Sequence, residues 1–306
     1  MIPIMRLNFK IQITMNNDDE LKKIAKLKLL INTLNRTEIV IINWLFIPKN
    51  LVENTSIKEI ADTLNVSKSL IVKIAKKLGC SGFKELKKLL LNYFQTNDYQ
   101  QLNITEENPF NNIIKNVEFS LITSIKETIS LINEKKISEV VKLILEKEKI
   151  LLFGVGGSYP ICLDFNHKLL RLGIYSETYN DFHLMSLAST HLNSNSLIIV
   201  ISTSGNSLEL ISSIEIAKKN KSTIIGITSN INSKLQKLSD LILYSPVFKD
   251  PLQGHNGLAR ICQLFILDII YLMLVQNNPN LLLRNLNHTI ESNSATHKQY
   301  MNKKNL

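Results

Sequence analysis

The chain of 306 residues is long enough to bury two ordinary domain cores. Its three cysteines, Cys80, Cys162 and Cys262, lie far apart, and its six histidines show no ligand spacing, which argues against a disulfide framework and against a metal site. The formal net charge is +10, and residues 1–100 hold 16 lysines and arginines against 9 acidic residues. We therefore predict a cytoplasmic protein that needs no metal or other cofactor and has a basic N-terminal region.

The first 14 residues have no helical pattern, which leaves two interpretations open: a misassigned upstream start, or an unstructured arm. They do not form a signal peptide, because Arg6, Lys10 and Gln12 interrupt what would have to be a continuous apolar core. The predicted elements therefore begin at residue 17.

Residues 56–79 have the pattern of two short helices joined by a tight turn. Ser56 and Glu59 form a capping box, in which each side chain accepts a hydrogen bond from an exposed N–H group at the helix start. Asn65 tolerates the left-handed backbone of a sharp turn, and Gly79 ends the second helix, predicted over 68–78. The pattern predicts a helix-turn-helix in an α-helical domain at 17–95, with the second helix in the DNA major groove.

The second helix would turn its apolar residues inward and its lysines outward. Residues 66–88 contain seven lysines and one acidic residue, Glu85, and such a basic cluster is typical of a nucleic-acid-binding surface. A solvated lysine face is the alternative, but its position on a helix-turn-helix favours DNA binding. The residues predicted to contact double-stranded operator DNA are Ser67, Lys68, Ser69, Lys73, Lys76, Lys77 and Lys84.

Residues 96–134 are predicted to be a linker followed by a connecting helix. The stretch 96–109 is mostly polar, and Ile113, Val117 and Leu121 then recur at near-helical spacing. Helix-turn-helix proteins normally bind paired half-sites as two-fold assemblies, so we expect the protein to self-associate as a dimer or a tetramer. The apolar face of the connecting helix is one candidate surface, and the apolar run 258–275 is another.

The run 258–275 is apolar enough to raise the question of a membrane span. Arg260, Gln263 and Asp268 interrupt it, which favours a buried packing helix instead. We therefore predict no membrane partner. The polar residues 281–306 that follow are predicted to be a C-terminal tail with a weak helix near 281–286.

Short apolar runs alternate with helical segments between residues 135 and 280. This alternation is typical of a parallel sheet covered on both faces by helices, and continuous apolar runs are typical of doubly covered strands. We therefore predict an α/β three-layer sandwich, in which ligands bind outside the carboxyl ends of the strands. The predicted strands are 150–153, 174–179, 197–201, 223–227 and 241–244.

Two of the predicted strands lead into loops rich in glycine and hydroxyl groups. The first loop is Gly154–Ser158 and the second is Ser202–Ser207, and a helix follows each. A helix N-terminus offers N–H groups and partial positive charge, so these loops suit a phosphate dianion. A tight turn without a ligand is the alternative. A dinucleotide site, as in a redox sensor, is less favoured, because Tyr159 occupies the third glycine position of Gly-x-Gly-x-x-Gly.

The loops and their flanking residues resemble the sugar isomerase (SIS) domain, which binds phosphorylated sugars on a flavodoxin-like parallel sheet. The matching segments are Gly154–Ser158, Lys168–Gly173 and Ser202–Glu209, and Arg260–Leu264 resembles the last helix of the domain in RpiR-type regulators. The resemblance implies that the four loop serines bind the phosphate, with Ser207 standing where the family usually has threonine. The predicted phosphosugar-binding residues are Gly156, Gly157, Ser158, Ser202, Ser204, Gly205, Asn206, Ser207 and Glu209.

The N-terminal region resembles the helix-turn-helix domain of RpiR-type transcriptional regulators. The matching segments are Ser56–Ala61 and Lys77–Lys87. The chain departs from the family at Leu70, where threonine is usual, and at Lys73–Ile74, where an arginine–phenylalanine pair is usual. Lysine keeps the positive charge at position 73 but lacks the planar fork with which arginine recognises guanine.

The sequence favours a sensor over an enzyme. Aldose–ketose isomerisation needs a base that moves a proton between adjacent carbons. Glu209, Asp250 and His255 are the candidates, but no pair of them has a persuasive spacing. We therefore predict a DNA-binding transcriptional regulator controlled by a phosphorylated sugar, with no catalytic residues. The alternative is a sugar-phosphate isomerase with an accessory helical domain.

Overall fold

The computed structural model describes residues 18–96, 109–246, 257–277, 279–280 and 282–291. Asp250 and His255, two of the candidate catalytic groups, lie outside the described residues. The described chain begins with an all-helical region. Its first five helices are α1 (Asp18–Ile31), α2 (Arg36–Leu45), α3 (Ile57–Thr63), α4 (Lys68–Lys77) and α5 (Phe83–Thr96).

The helix-turn-helix formed by α3 and α4 has the predicted local geometry. The Ser56–Glu59 capping box is present, and Asn65 has a φ of 51° in the turn. Gly79 adopts a φ of 82° just after α4, a conformation that glycine reaches without a Cβ penalty. Ile71 and Ile74 of α4 are fully buried in the helical core, whereas Lys68, Lys73 and Lys76 of the same helix are exposed.

Two further helices lead from the helical region to the α/β domain. They are α6 (Pro109–Leu131), which agrees with the predicted connecting helix, and α7 (Glu134–Glu146). Lys28 of α1 forms an ion pair of 2.7 Å with Glu127 of α6, and both side chains are buried. The connecting helix is therefore fastened to the first helix of the DNA-binding region.

Five parallel strands form the centre of the α/β domain. Their spatial order is β2-β1-β3-β4-β5, the flavodoxin-like order that the resemblance implied. The strands are β1 (Lys149–Gly154), β2 (Glu177–Tyr179), β3 (Ser196–Ile201), β4 (Thr223–Thr228) and β5 (Leu241–Tyr244). The helices around them are α8 (Tyr159–Arg171), α9 (Phe182–Thr190), α10 (Leu208–Lys219), α11 (Lys234–Leu238) and α12 (Gly257–Asn277).

Each face of the sheet has its own hydrophobic core. Residues of α7, α8 and α12 pack on one face, and residues of α9, α10 and α11 pack on the other. This arrangement confirms the predicted three-layer sandwich. Among the described helices, α12 is the one long and apolar enough to cross a membrane. It buries Ile266, Leu267 and Ile270 in the first core.

The sheet and the C-terminal segment differ from prediction in two places. Strand β2 begins at Glu177 instead of residue 174, because the backbone N–H of Ile174 still caps α8 by donating to the Leu169 carbonyl. Residues 282–291 are helical, so the weak helix predicted near 281–286 extends further into the tail than we predicted. Leu282 is buried in the α/β core, and the Asn285 amide donates to the Leu172 carbonyl over 2.8 Å, so this part of the tail packs on the domain.

Candidate functional site

The two hydroxyl-rich loops leave the sheet side by side. Gly154, at the end of β1, pairs in register with Ile201 at the end of β3. The strand order reverses direction between these two strands, since β2 lies beyond β1 whereas β4 and β5 lie beyond β3. In open parallel sheets a ligand crevice forms at such a switch point.

The loop after β1 is closely packed at Gly154 and at Gly157. A Cβ on Gly154 would lie 2.8 Å from the Cys162 sulfur, and Gly156 has a φ of 57°. A Cβ on Gly157 would lie 3.3 Å from Nη1 of Arg260, which belongs to α12. The guanidinium of Arg260 therefore lies against the loop and supplies a positive charge there.

The loop after β3 is closed by its own serine hydroxyls. The backbone N–H of Gly205 donates to Ser202 Oγ over 3.1 Å, and the N–H of Asn206 donates to Ser204 Oγ over 3.3 Å. Gly205 has a φ of 63°, and a Cβ there would lie 2.5 Å from Ser233. Ser202 and Ser204 thus shape the turn, and each hydroxyl keeps a proton that it can donate to an anion.

The remaining two loop serines occupy the first positions of helices without capping them. Ser158 is the N-cap of α8 and Ser207 is the N-cap of α10, and neither side chain makes a capping hydrogen bond. Ser56, Ser67 and Ser233 do cap their own helices. Because the first N–H groups of a helix have no intrahelical partner, the start of α10 retains donors for an anion. At the start of α8 the Tyr159 N–H donates to the Gly156 carbonyl and Pro160 has no N–H, so Ser158 can offer its hydroxyl there.

Helix α12 places two side chains at the loops that the sequence analysis did not assign to the site. Besides Arg260, the buried Gln263 donates from Nε2 to Thr203 Oγ1 over 3.3 Å. Its Oε1 is buried and has no hydrogen-bond partner among the described residues. The two residues are three positions apart and share a helix face. Their spacing is visible in the sequence, but their contacts with loop residues 60 or more positions away are not.

Two other predicted ligand residues lie at the edge of the second loop. The side chain of Asn206 accepts a hydrogen bond from the backbone N–H of Lys234 over 2.9 Å, which joins the loop to α11. Glu209 is exposed in the first turn of α10. The described residues contain no group of three or more His, Cys, Asp or Glu side chains that could hold a metal ion.

A second candidate surface lies on α4. The side chains of Lys68, Ser69, Lys73, Lys76 and Lys84 are exposed around it. Ser67 instead caps α4 by accepting from the Leu70 N–H over 3.2 Å.

Lys77 has a structural partner in addition to its place on this surface. Its ammonium forms an ion pair of 2.5 Å with Glu38, whose carboxylate is buried at the start of α2. The hydrogen bond from Lys77 and that from the Asn35 backbone lower the pKa of Glu38, although burial opposes them.

A helix-turn-helix with a lysine-rich outer face, joined to a flavodoxin-like domain with hydroxyl-rich loops at its switch point, is typical of a ligand-responsive DNA-binding protein. Comparison with family models identifies the same two parts. Residues 21–97 match the helix-turn-helix domain of the rpiR family, and residues 143–273 match the SIS domain.

Related proteins that cover most of the chain place it in one family. It is 34% identical over 246 residues to the HTH-type transcriptional regulator RpiR of Escherichia coli strain K12, covering 80% of this chain and 83% of that protein. It is 32% identical over 261 residues to an HTH-type transcriptional regulator of Haemophilus influenzae, covering 84% and 91% of the two chains. The chain belongs to the RpiR family of HTH-type transcriptional regulators.

Solved structures show the same fold. The Vibrio vulnificus NanR protein complexed with ManNAc-6P aligns with a TM-score of 0.56 at 20% identity, over 88% of this chain and 97% of that chain. The sugar isomerase domain of an RpiR transcription factor from Sphaerobacter thermophilus aligns with a TM-score of 0.54 at 16% identity, over 58% and 98% of the two chains. The predicted fold class and family are therefore confirmed.

Proposed function

We propose that this regulator acts in the cytoplasm and that a phosphorylated sugar, bound between the loops after β1 and β3, sets its affinity for operator DNA. The main support is the pair of N-cap serines, Ser158 and Ser207, whose hydroxyls make no capping hydrogen bond beside the switch point of the sheet. Arg260 adds a positive charge beside the same loops. NanR, which shares this fold, was solved with a sugar phosphate, and this supports the same ligand class here.

The phosphate should interact with the start of α10 and with the serine hydroxyls of both loops. Ser158 would donate from the first loop and Ser207 from the second, while the Ser202 and Ser204 hydroxyls complete the shell. The sugar ring would then extend toward Glu209 at the exposed side of α10. The exposed lysines of α4 would hold the DNA phosphates.

Replacing Ser158 and Ser207 by alanine together should weaken sugar-phosphate binding at least about a hundredfold. Each charge-assisted hydrogen bond contributes about 1.5–3 kcal/mol, and each 1.4 kcal/mol is about tenfold in affinity. Isothermal calorimetry with hexose, pentose and amino-sugar phosphates would measure the effect. These two serines are preferable to Ser202 and Ser204, whose removal would also disturb the turn.

Ser194→Ala with Ser212→Ala is a matched control, because both serines are exposed in the same domain away from the loops. This control should bind like the wild type. The unphosphorylated sugars should not bind, since the site is built around the phosphate. Equal affinity for a sugar and its phosphate, or full affinity in the Ser158/Ser207 variant, would refute the site.

We further propose that the α/β domain senses the sugar phosphate without converting it. The support is that the related proteins are named as transcriptional regulators. Isomerase turnover on the same panel of sugar phosphates would instead support the alternative, a sugar-phosphate isomerase with an accessory helical domain.

The protein should be at least a dimer at micromolar concentration. Phe110, Ile113, Ile114 and Val117 form an exposed apolar stripe along the start of α6, with exposures between 42% and 69%. Contiguous exposed apolar surface is typical of a protein interface, and a second copy would place two α4 helices for paired half-sites. Light scattering should give a dimer or tetramer mass, and a monomer would contradict the proposal.

A further inference from the structure

The side chain of Asn32 connects the DNA-binding core to the α/β domain beside the second loop. Asn32 follows the last residue of α1, and its Nδ2 donates to the carbonyl oxygen of Ser229 over 2.8 Å. Helix α1 belongs to the helical core, because Ile24, Leu27 and Ile31 are buried there. Ser229 belongs to the segment that follows β4.

Ser229 is one hydrogen bond away from the proposed phosphate site. Its backbone N–H donates to the Thr203 carbonyl over 3.1 Å, and Thr228 Oγ1 donates to the same carbonyl over 3.2 Å. Asn230 Nδ2 donates to the Ser204 carbonyl over 3.1 Å. The loop after β3 and the segment 228–230 therefore share a continuous hydrogen-bonded network.

This network is buried and has little room to adjust locally. Thr228, Ser229 and Asn230 are all buried. When a phosphate draws the Ser204 and Ser207 hydroxyls toward itself, the carbonyls of Thr203 and Ser204 must shift with the loop. Closely packed interiors transmit such displacements to their neighbours. The Ser229 carbonyl would therefore move relative to α1.

Helix α1 is also attached to the connecting helix, so a movement at Asn32 would change its orientation. Lys28, one helical turn before Asn32, is paired with Glu127 of α6 in a buried position. Lys28 thus fixes α1 to the connecting helix, whereas Asn32, at the end of α1, would move with the loop after β3. A shift at Ser229 would change the position of α1 and, with it, the helical core that supports α4.

We infer that the hydrogen bond from Asn32 to Ser229 transmits occupancy of the sugar-phosphate site to the DNA-binding domain. This inference rests on the proposed function and adds the regulation of the same site. Coupling between two sites typically changes affinity about 5–150-fold, and the effect is reciprocal. Sugar phosphate should therefore change DNA affinity by the same factor by which DNA changes sugar-phosphate affinity.

Asn32→Ala in the full chain tests the inference, with Asn50→Ala as the matched control. Asn50 also donates its amide to a carbonyl, that of Trp44 over 3.0 Å, but this bond lies within the helical region. The DNA probe is the duplex that the wild type selects most tightly from a random pool. The ligand is the tightest-binding sugar phosphate of the panel, and its effect on DNA affinity is measured for each protein.

We expect the wild type and Asn50→Ala to show the same effect of sugar phosphate on DNA affinity, within the range of about 5–150-fold. In Asn32→Ala the ratio should fall to within about twofold of one, while calorimetry still shows sugar-phosphate binding to the protein alone. A wild-type ratio in Asn32→Ala would overturn this inference alone. Failure of every sugar phosphate to bind the wild type would overturn the proposed function, and this inference with it.

Discussion

Reversing the charges of Lys73 and Lys76 to glutamate should weaken DNA binding at least about a hundredfold near 0.1 M salt. Both lysines are exposed on α4. Each lysine that neutralises a DNA phosphate releases a counterion. The binding constant then falls with about one additional power of the salt concentration for each such contact. At 0.1 M salt each lost phosphate contact therefore lowers the affinity about tenfold, and two lost contacts lower it about a hundredfold. The new negative charges weaken binding further by repelling the DNA phosphates. Fluorescence anisotropy at several salt concentrations measures both the affinity and the slope.

The negative slope of log affinity against log salt concentration should become shallower by about two units in this variant. Lys219→Glu with Lys237→Glu makes the same charge change on exposed positions of the α/β domain and should have little effect. Lys73 also helps to lower the pKa of Glu38, so Lys73→Gln with Lys76→Gln serves as a gentler companion variant. Wild-type affinity and slope in both α4 variants would show that DNA binds elsewhere.

Lys77 is left unchanged in these variants for a structural reason. Its partner Glu38 is buried, and removing the lysine would leave a buried carboxylate without its ion pair. Loss of DNA binding after a change at Lys77 would therefore mix a DNA contact with a loss of stability. The sequence could not reveal this pair, because the two residues are 39 positions apart.

Local signals explain why much of the fold could be predicted. The Ser56–Glu59 capping box and Gly79 define the ends of the helix-turn-helix within a few residues. Strands β1, β3 and β4 are buried along nearly their whole length. Their sequences are therefore almost entirely apolar, and such runs can be recognised as strands from the sequence. The edge strand β2 is only partly buried, so its apolar pattern was less exact.

Long-range contacts explain what the sequence did not predict. Arg260 lies against Gly157, and Asn32 contacts Ser229. Neither contact could be predicted from the residues that neighbour either partner in the sequence. The loops themselves were predictable, since a strand, a glycine-rich or serine-rich turn and a helix follow one another along the chain. The assignment of individual side chains to the phosphate stays a prediction until binding is measured.

The buried cluster between α1, α5 and α6 was also outside the reach of sequence patterns. Lysine is rarely buried, yet Lys28 is enclosed with Glu127 and lies 5.2 Å from the ring centre of Tyr93. The Tyr93 hydroxyl accepts from Lys28 and donates to Glu127 Oε1, each over 3.2 Å. Burial raises the pKa of Glu127, and Lys28 opposes that rise.

Lys28→Met should destabilise the protein by about 3–5 kcal/mol at neutral pH, because it leaves a buried carboxylate without its cation. Denaturant unfolding followed by circular dichroism measures the loss. The pKa of Glu127, already raised by burial, should rise further without the lysine. A folded-state pKa above the unfolded value means that the folded protein holds the proton more tightly, so stability falls as pH rises between the two values. The destabilisation should therefore shrink as the pH is lowered toward the unfolded-state pKa.

The variant Lys28→Met with Glu127→Gln separates charge burial from lost packing. Glutamine keeps an acceptor for the Tyr93 hydroxyl but carries no charge, and replacing both ions of a buried pair is often nearly neutral. The double variant should recover most of the stability lost in Lys28→Met and should show little dependence on pH near neutrality. If the double variant were no more stable than the single one, lost packing and not the unpaired carboxylate would account for the loss. If Lys28→Met itself lost little stability, the pair would not hold α1 to α6. The fixed anchor assumed for the movement of Asn32 would then be absent.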